Sequence, residues 1–266
     1  MRTGRYYVFG AQSGRPFTSN SNNGTRGDGK MIDETDLSME TRWLFQERSM
    51  EAIKHLHRRN INAQFCPNRQ EALSATLDMI PAGTTVVRGD SVSVDQVGII
   101  PSLMEHNRNT IIDPFDRKPD GQYKFGIQER LMMQKAAFSA DIYIAGSNAI
   151  TIDGKLVNTD AVGNRVAPMI FGPDKVILII GANKIVRNVD EAIKRIREIC
   201  APINAKRHAI KHHRADFGNL PCARTGRCAD CYDDWRICRY TVIIEGSLLP
   251  QKGRINVVLI GENLGI

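Results

Sequence analysis

Two short, continuous apolar runs in the middle of the chain predict buried β-strands. Residues 142–145 and 176–180 are rich in β-branched side chains and do not alternate with polar ones. Such runs are typical of parallel strands that are covered on both faces of a sheet. Each run ends at a glycine, Gly146 or Gly181, that polar residues follow. We therefore expect polar side chains just past the carboxyl ends of buried strands, where open α/β sheets bind ligands.

The hydrophobic pattern of the rest of the chain predicts alternating helices and strands. Between the two runs, residues 151–157 predict a hairpin on an Asp-Gly turn, and residues 161–171 a short helix. Asn68 with Glu71, and Ser93 with Gln96, form capping boxes that each predict a helix start. Further helices are predicted at 39–59, 127–138 and 188–200, and further strands at 61–65, 84–88, 241–245 and 255–260. This order predicts an α/β fold of three layers, helix-sheet-helix, with some antiparallel pairing late in the chain.

The length and composition of the chain predict its domain organisation and its cellular compartment. We predict that residues 1–30, rich in Gly, Asn, Ser and Arg, are a flexible extension, and that residues 31–266 form a single domain. No apolar run approaches the ~20 residues of a membrane span, and residues 1–30 lack a signal-peptide core. A cytoplasmic location, where cysteines stay reduced, is therefore expected. The net charge of +7 suits an anionic metabolite, and no nucleic-acid-binding pattern accompanies it.

A glycine turn after the predicted strand at 84–88 is a candidate anion site. The segment Gly89-Asp90-Ser91 and the following Ser93 would present backbone N–H groups at the start of a helix. The side chains of Arg88, Ser91 and Ser93 could add donors to a phosphate or carboxylate. Lys184 follows the strand at 176–180, so we predict that it approaches the same pocket. The alternative is an ordinary strand-to-helix turn whose serine only caps the helix.

The segment between the two apolar runs is unusually polar. Because loops at strand ends often carry binding residues, some of these side chains are expected to line a ligand pocket, although Asn and Asp also stabilise turns. The candidates are Asn148, Asn158, Asp160, Asn164 and Arg165.

Four cysteines fall within residues 222–238, a segment called here the cysteine loop. Cys222, Cys228, Cys231 and Cys238 have the spacing C-x5-C-x2-C-x6-C, and four converging thiolates bind one zinc ion or one iron–sulfur cluster. Reduced cysteines or a redox disulfide are the alternatives. Neighbouring arginines are expected to lower the thiol pKa values. Cys66 and Cys200 lie on apolar elements and are expected in the core. His208 and His212 have i, i+4 spacing if their segment is helical and could bind metal, but a solvated basic face is the favoured interpretation.

Several blocks of the chain resemble the lactate-utilisation (LUD) domain family, which includes proteins of the lactate-utilisation protein C type. The resemblance begins near residue 40, and its blocks lie at residues 89–98, 146–151, 153–158, 163–166, 171–173, 181–186, 201–207 and 222–238. It implies a Rossmann-like sheet, similar to the superfamily of ribose-phosphate isomerase, glucosamine-phosphate deaminase and the coenzyme A transferases. It also implies a role in the oxidation of L-lactate to pyruvate alongside iron–sulfur partner proteins. No catalytic residue carries over from it.

Two other functions are compatible with the sequence. One is an isomerase or transferase that acts on a sugar phosphate or an acyl-CoA, and the other is a metal-dependent interaction module for a redox partner. A nicotinamide cofactor is not expected, because the chain lacks the Gly-x-Gly-x-x-Gly fingerprint.

Overall fold

Parallel strands form the central sheet of the protein. The structure is a computed structural model that describes residues 33–266, so the extension predicted at residues 1–30 lies outside the described residues. Within them the strands are β1 (Asn62–Cys66), β2 (Thr85–Arg88), β3 (Thr110–Ile112), β4 (Ile142–Gly146), β5 (Ala149–Thr151), β6 (Leu156–Asp160), β7 (Lys175–Gly181), β8 (Ile185–Val186), β9 (Tyr240–Ile244) and β10 (Ile255–Ile260). Six of them form the central sheet, in the order β1-β10-β7-β4-β2-β3, and every pair is parallel.

Helices alternate with these strands along the chain. They are α1 (Ser38–Arg58), α2 (Arg69–Asp78), α3 (Val92–Val97), α4 (Ile99–His106), α5 (Ile127–Lys135), α6 (Val166–Ile170), α7 (Val189–Arg195), α8 (Ala201–Lys211), α9 (Ala215–Gly218) and α10 (Pro221–Thr225). Residues Leu37–Ile266 form one compact unit. None of the helices in the described part of the chain is long and apolar enough to cross a membrane.

The central sheet is buried on both faces, which explains its continuous apolar strands. In β7, Val176, Leu178 and Ile180 pack with Leu56 of α1 on one face. The alternate residues Ile177 and Ile179 pack on the other face with residues from α2, α3 and α4. Successive side chains of a strand point to opposite faces, so one strand supplies both cores. The predicted three-layer, Rossmann-like fold is confirmed.

The connections of β2 and β4 leave in opposite directions. From β2 the chain goes to its neighbour β3 at the sheet edge, whereas from β4 it goes to β7 on the other side. The carboxyl ends of β2 and β4 therefore flank a topological switch point, the usual place for a ligand in an open α/β sheet.

A second, smaller sheet was not predicted from the sequence. Its order is β8-β5-β6-β9, and it contains the predicted hairpin of β5 and β6, with Gly154 of the Asp-Gly turn at φ +83°. The late antiparallel pairing is that of β9 with β6 in this sheet, whereas β10 is a parallel strand of the central sheet.

The start of one helix differs from the prediction. Asn68 caps α2 as expected, but Ser91, not Ser93, caps α3 by accepting a hydrogen bond from the Val94 backbone N–H. The break after α3 falls at Gly98, which adopts a left-handed conformation (φ +81°), and Pro101 lies within α4. Proline is tolerated in the first turn of a helix because the N–H it lacks has no partner there. Because Ser91 caps α3, the hydroxyl of Ser93 is not needed as a cap.

The helix predicted at residues 188–200 continues further than expected. Asn188 caps α7, which passes through a π-helical turn, Ile196–Cys200, directly into α8. Single π-turns inside α-helices occur often at functional sites. Here the turn brings Ile196 and Cys200 to the wall of the cavity described next.

Candidate functional site

A cavity of about 340 Å³ lies at the carboxyl ends of β2, β4 and β7. Residues from the β2–α3 turn, the start of β5, the segment after β6, the end of β7 and helix α8 line it. Seven of the ten predicted ligand residues are on its wall, namely Asp90, Ser91, Asn148, Asp160, Asn164, Arg165 and Lys184. Gly89, Ser93 and Asn158 are not on the wall, although Ser93 and Asn158 each bond a residue that is.

The β2–α3 turn fits closely against β4. The backbone N–H of Gly89 donates to the carbonyl of Ile144, and a Cβ atom at Gly146 would meet Ser91 Oγ at 2.5 Å. A Cβ atom at Gly89 would collide with the Tyr143 hydroxyl of β4, so the close fit requires glycine at both positions. Arg88, a predicted donor to the ligand, is instead buried in salt bridges of 2.7 Å to Asp95 and 3.5 Å to Asp113. The two carboxylates engage its guanidinium, and Arg88 is not among the residues of the cavity wall.

Lys184 is a buried cation on the cavity wall. Its side chain reaches back from the end of β7, and its Nζ donates to Ser93 Oγ at 3.0 Å. The residue is only 4% exposed, and no carboxylate in the described part of the chain forms a salt bridge with it. Burial, with a further contribution from the charge of Arg195, lowers the pKa of Lys184 to about 7. The ammonium group thus lacks the counter-ion that a buried charge requires.

The backbone at the end of the described chain passes directly over Lys184. A Cβ atom at Gly265 would meet Lys184 Nζ at 2.6 Å. This segment is fixed by two hydrogen bonds, from the Leu264 N–H to Asn183 Oδ1 and from the Gly265 N–H to Gln96 Oε1. The ammonium group is consequently shielded on this side.

Arg165 organises the polar residues that follow β4 and β6. Its guanidinium forms a 2.8 Å salt bridge with Asp160 and donates to the side-chain oxygens of Asn148 and Asn158 at 2.8 and 2.7 Å. It also donates to the carbonyls of Gly146 and Thr159. Asp160 in turn accepts hydrogen bonds from the backbone N–H groups of Arg165 and Val166. Because this network already engages the guanidinium, we assign Arg165 to the support of the cavity wall.

Replacing Arg165 with Met should destabilise the protein by about 3–5 kcal/mol, because it leaves a buried carboxylate without its partner. The side chains of Arg165 and Asp160 are 11% and 7% exposed. The free energy of unfolding in urea measures the effect. Lys124→Met, which removes an exposed salt bridge to Asp116, is the control and should lower the free energy of unfolding far less, because solvent screens an exposed ion pair. Equal costs for the two variants would contradict the assignment.

Helix α8 also lines the cavity, and its residues were not predicted as site residues. Arg207 forms a 2.6 Å salt bridge with Asp90, and although burial acts in the other direction, Arg207 holds the pKa of Asp90 below its usual value. His208 lies on the wall beside it. The structure thus places His208 at the cavity, where the sequence favoured a solvated face. The helical spacing of Asn204, Arg207 and His208 was the signal available.

The cysteine loop borders the same cavity. Cys238 lines it, as does Cys200, which was expected only in the core. Burial, together with the nearby thiols of Cys231, Cys238 and Cys228, raises the pKa of Cys222. For Cys222 the expected lowering of the pKa is therefore wrong.

The chemistry of the four thiols fits a zinc ion or an iron–sulfur cluster. They lie near enough to one another to affect the ionisation of Cys222. Between α10 and β9 the chain forms no helix or strand. However, no three His, Cys, Asp or Glu side chains within residues 33–266 are arranged to hold a metal ion. The metal site at Cys222, Cys228, Cys231 and Cys238 therefore stays a prediction.

Comparisons with known proteins identify the family. A solved structure from Deinococcus radiodurans, described as a DUF162 family protein, matches with 12% sequence identity and a TM-score of 0.39. The match covers 84% of this chain and 97% of that one. No curated protein matches. The family model of the LUD domain matches residues 49–260. The chain therefore belongs to the LUD domain family and is a lactate-utilisation-type protein.

Proposed function

We propose that the protein is the carboxylate-binding component of a system that oxidises L-lactate to pyruvate. The observation that carries this proposal is Lys184, a buried ammonium group on the cavity wall with no carboxylate partner among the described residues. A small 2-hydroxy or 2-oxo acid would supply the missing counter-ion. A cavity of about 340 Å³ is large enough for such a molecule and near the lower end of common ligand pockets.

The position of the cysteine loop connects this cavity with redox chemistry. Cys238 is on the cavity wall, so a group held by Cys222, Cys228, Cys231 and Cys238 would lie beside the bound acid. An iron–sulfur cluster there would supply one-electron transfer, and zinc would supply structure. Oxidation of L-lactate releases two electrons and two protons, and we assign the acceptance of these electrons to iron–sulfur partner proteins.

The alternative of an isomerase or transferase for a sugar phosphate or acyl-CoA has one observation in its favour. Arg130 also lines the cavity, and no salt bridge involves it in the described part of the chain. Its guanidinium lies 3.3 Å from the ring centroid of Tyr123 and donates to the Pro114 carbonyl at 2.8 Å. A second cation would suit a phosphate dianion better than a monocarboxylate.

Calorimetric titration tests the proposed ligand and its pH dependence. Lys184 must be charged to pair with a carboxylate, and its pKa is about 7. The dissociation constant for pyruvate should therefore rise about tenfold for each pH unit above about 7.5 and change little below pH 6.5. At about pH 8, binding should take up a proton, which titrations in two buffers of different ionisation enthalpy measure.

Titrations with ribose 5-phosphate and acetyl-CoA distinguish the alternative. Tighter binding of either compound than of pyruvate or L-lactate would contradict the proposal. A lack of any change in pyruvate affinity between pH 6 and 9 would exclude Lys184 as the carboxylate partner.

The protein alone should show little oxidation of L-lactate. The chain lacks a dinucleotide fingerprint and the cysteine repeats of a ferredoxin, so electrons need a partner protein. Reduction of a dye by L-lactate and the pure, cofactor-free chain measures this. Rapid turnover by that preparation would refute the division of roles.

A further inference from the structure

Two histidines and an arginine form a hydrogen-bonded chain that ends at the cavity. His208 of α8 lies on the cavity wall, and His212 follows the end of the same helix. Their Nδ1 atoms are 2.8 Å apart. On its other side, His212 Nε2 lies 2.9 Å from Arg117 Nη2. Arg117 comes from the loop before α5, so the chain joins two separate parts of the fold.

Arg117 is held firmly in place. Its Nη1 donates to the Gly121 carbonyl at 2.6 Å, and its guanidinium lies 4.0 Å from the ring centroid of Tyr123. Tyr123 in turn packs edge-on against the His212 ring, with the ring centroids 5.9 Å apart. The direction in which Arg117 points its N–H groups is therefore fixed by the surrounding loop.

The hydrogen-bonding capacities of these groups leave one arrangement of protons. A guanidinium only donates, so His212 Nε2 must accept from Arg117. A neutral imidazole carries one N–H, so the proton of His212 is on Nδ1 and is donated to His208 Nδ1. The proton of His208 must then be on Nε2. Burial is the main cause that lowers the pKa of each ring to about 4. The charge of Arg207 adds to this effect at His208, and the charges of His208 and Arg117 add to it at His212. Both rings are therefore neutral at neutral pH.

We propose that Arg117 and His212 fix His208 in the Nε2–H tautomer, so that His208 donates a hydrogen bond to the C2 oxygen of the acid in the cavity. His208 Nε2 has no hydrogen-bond partner within residues 33–266, since this ring bonds His212 through Nδ1. This inference rests on the proposed function for the identity of the ligand, whereas the tautomer does not depend on it. His208 is then a specificity-determining residue, and Arg117 and His212 are positioning residues.

Nitrogen-15 NMR of histidine-labelled protein tests the tautomer without any ligand. The imidazole shifts of His208 should show a proton on Nε2 and a bare Nδ1 near pH 7. In Arg117→Met the fixed direction is lost, and a mixture of both tautomers is expected. A proton on His208 Nδ1 in the wild-type protein would overturn the proposal, as would an unchanged single tautomer in Arg117→Met.

Ligand preference tests the assigned partner. Propionate has the carboxylate of pyruvate but no C2 oxygen, so the wild-type protein should prefer pyruvate by about 2- to 10-fold, the equivalent of one neutral hydrogen bond. His208→Phe should lose this preference, and Arg117→Met should reduce it. His213→Phe is the matched control, because His213 is exposed, and it should keep the preference.

The two experiments separate the inference from the proposed function. If neither acid binds although His208 carries its proton on Nε2, the proposed function fails and the fixed tautomer stands. If pyruvate binds and His208→Phe retains the full preference over propionate, the assignment of His208 to the C2 oxygen is wrong while the carboxylate site stands.

Discussion

A Lys184→Met variant should be more stable than the wild-type protein and yet lose its affinity for pyruvate. Lys184 is 4% exposed and bonds only the hydroxyl of Ser93 among the described residues. Replacing such an unpaired buried charge by an apolar side chain of similar length should raise the free energy of unfolding by about 1–4 kcal/mol. Removing the partner of a buried carboxylate should weaken binding by about 30-fold or more.

The gain in stability should depend on pH in a defined direction. The pKa of Lys184 is about 7 in the folded protein and about 10.4 in an unfolded chain. Between these values the unfolded chain holds one more proton, so this residue makes the wild-type free energy of unfolding increase with pH across that window. The advantage of Lys184→Met should therefore be largest below about pH 7 and shrink towards pH 10.

Urea unfolding at several pH values and calorimetric titration measure the two effects. Lys175→Met is the matched control, because Lys175 lies at the other end of β7 and its Nζ donates to the Met79 carbonyl. Lys175→Met should keep the affinity for pyruvate and show no gain in stability. Normal pyruvate binding by Lys184→Met would remove the basis of the proposed function.

Local patterns were enough to predict the central strands and one helix start. β4 and β7 are continuous apolar runs, and both faces of each strand are in fact buried. Asn68 and Glu71 form a capping box within four residues of the chain. In each case the energetic cause is contained in a short stretch of sequence, so the sequence carries the signal.

Several contacts between distant segments of the site were not predicted from the sequence. Asp90 and Arg207 are 117 positions apart, and only the folded chain shows that they meet. The basic residues of α8 were predicted to lie on a solvated face because their hydrogen-bond and salt-bridge partners lie in other segments of the chain. Arg165 was predicted as a candidate ligand residue, but its bonding partners were not predicted. The sequence does not show that Asp160, Asn148 and Asn158 engage its guanidinium.

Replacing Cys231 with Ser should release a bound metal and leave most of the fold intact. Cys228 and Cys231 are two of the four thiols in the cysteine loop, and loss of one ligand from a four-thiolate site removes the metal or greatly weakens its binding. The central sheet has its own cores, which involve none of these four cysteines. The melting temperature of the Cys231→Ser variant, measured in the presence of a chelator, should therefore be close to that of the wild-type protein.

The loosening should be confined to one region. Leu220, Ala223 and Ile237 pack with Ala201 and Ala205 of α8 in a separate small cluster, against which Cys222 and Cys238 lie. Hydrogen exchange should therefore speed up at residues 220–240 more than in the central sheet. The metal content and the absorption spectrum of anaerobically purified protein identify the group, since zinc is colourless and an iron–sulfur cluster absorbs visible light.

Cys66→Ala provides the opposite result as a control. Cys66 is buried at the end of β1 in the core formed with α2, away from the cysteine loop in sequence. Truncating Cys66 should lower the free energy of unfolding by about 1–2 kcal/mol through lost packing, and the melting temperature should fall accordingly. The metal content should stay at the wild-type level. The two variants thus separate metal binding from stability of the sheet. A wild-type protein that contains neither zinc nor iron after anaerobic purification would leave the reduced thiols or a redox disulfide as the state of the cysteine loop.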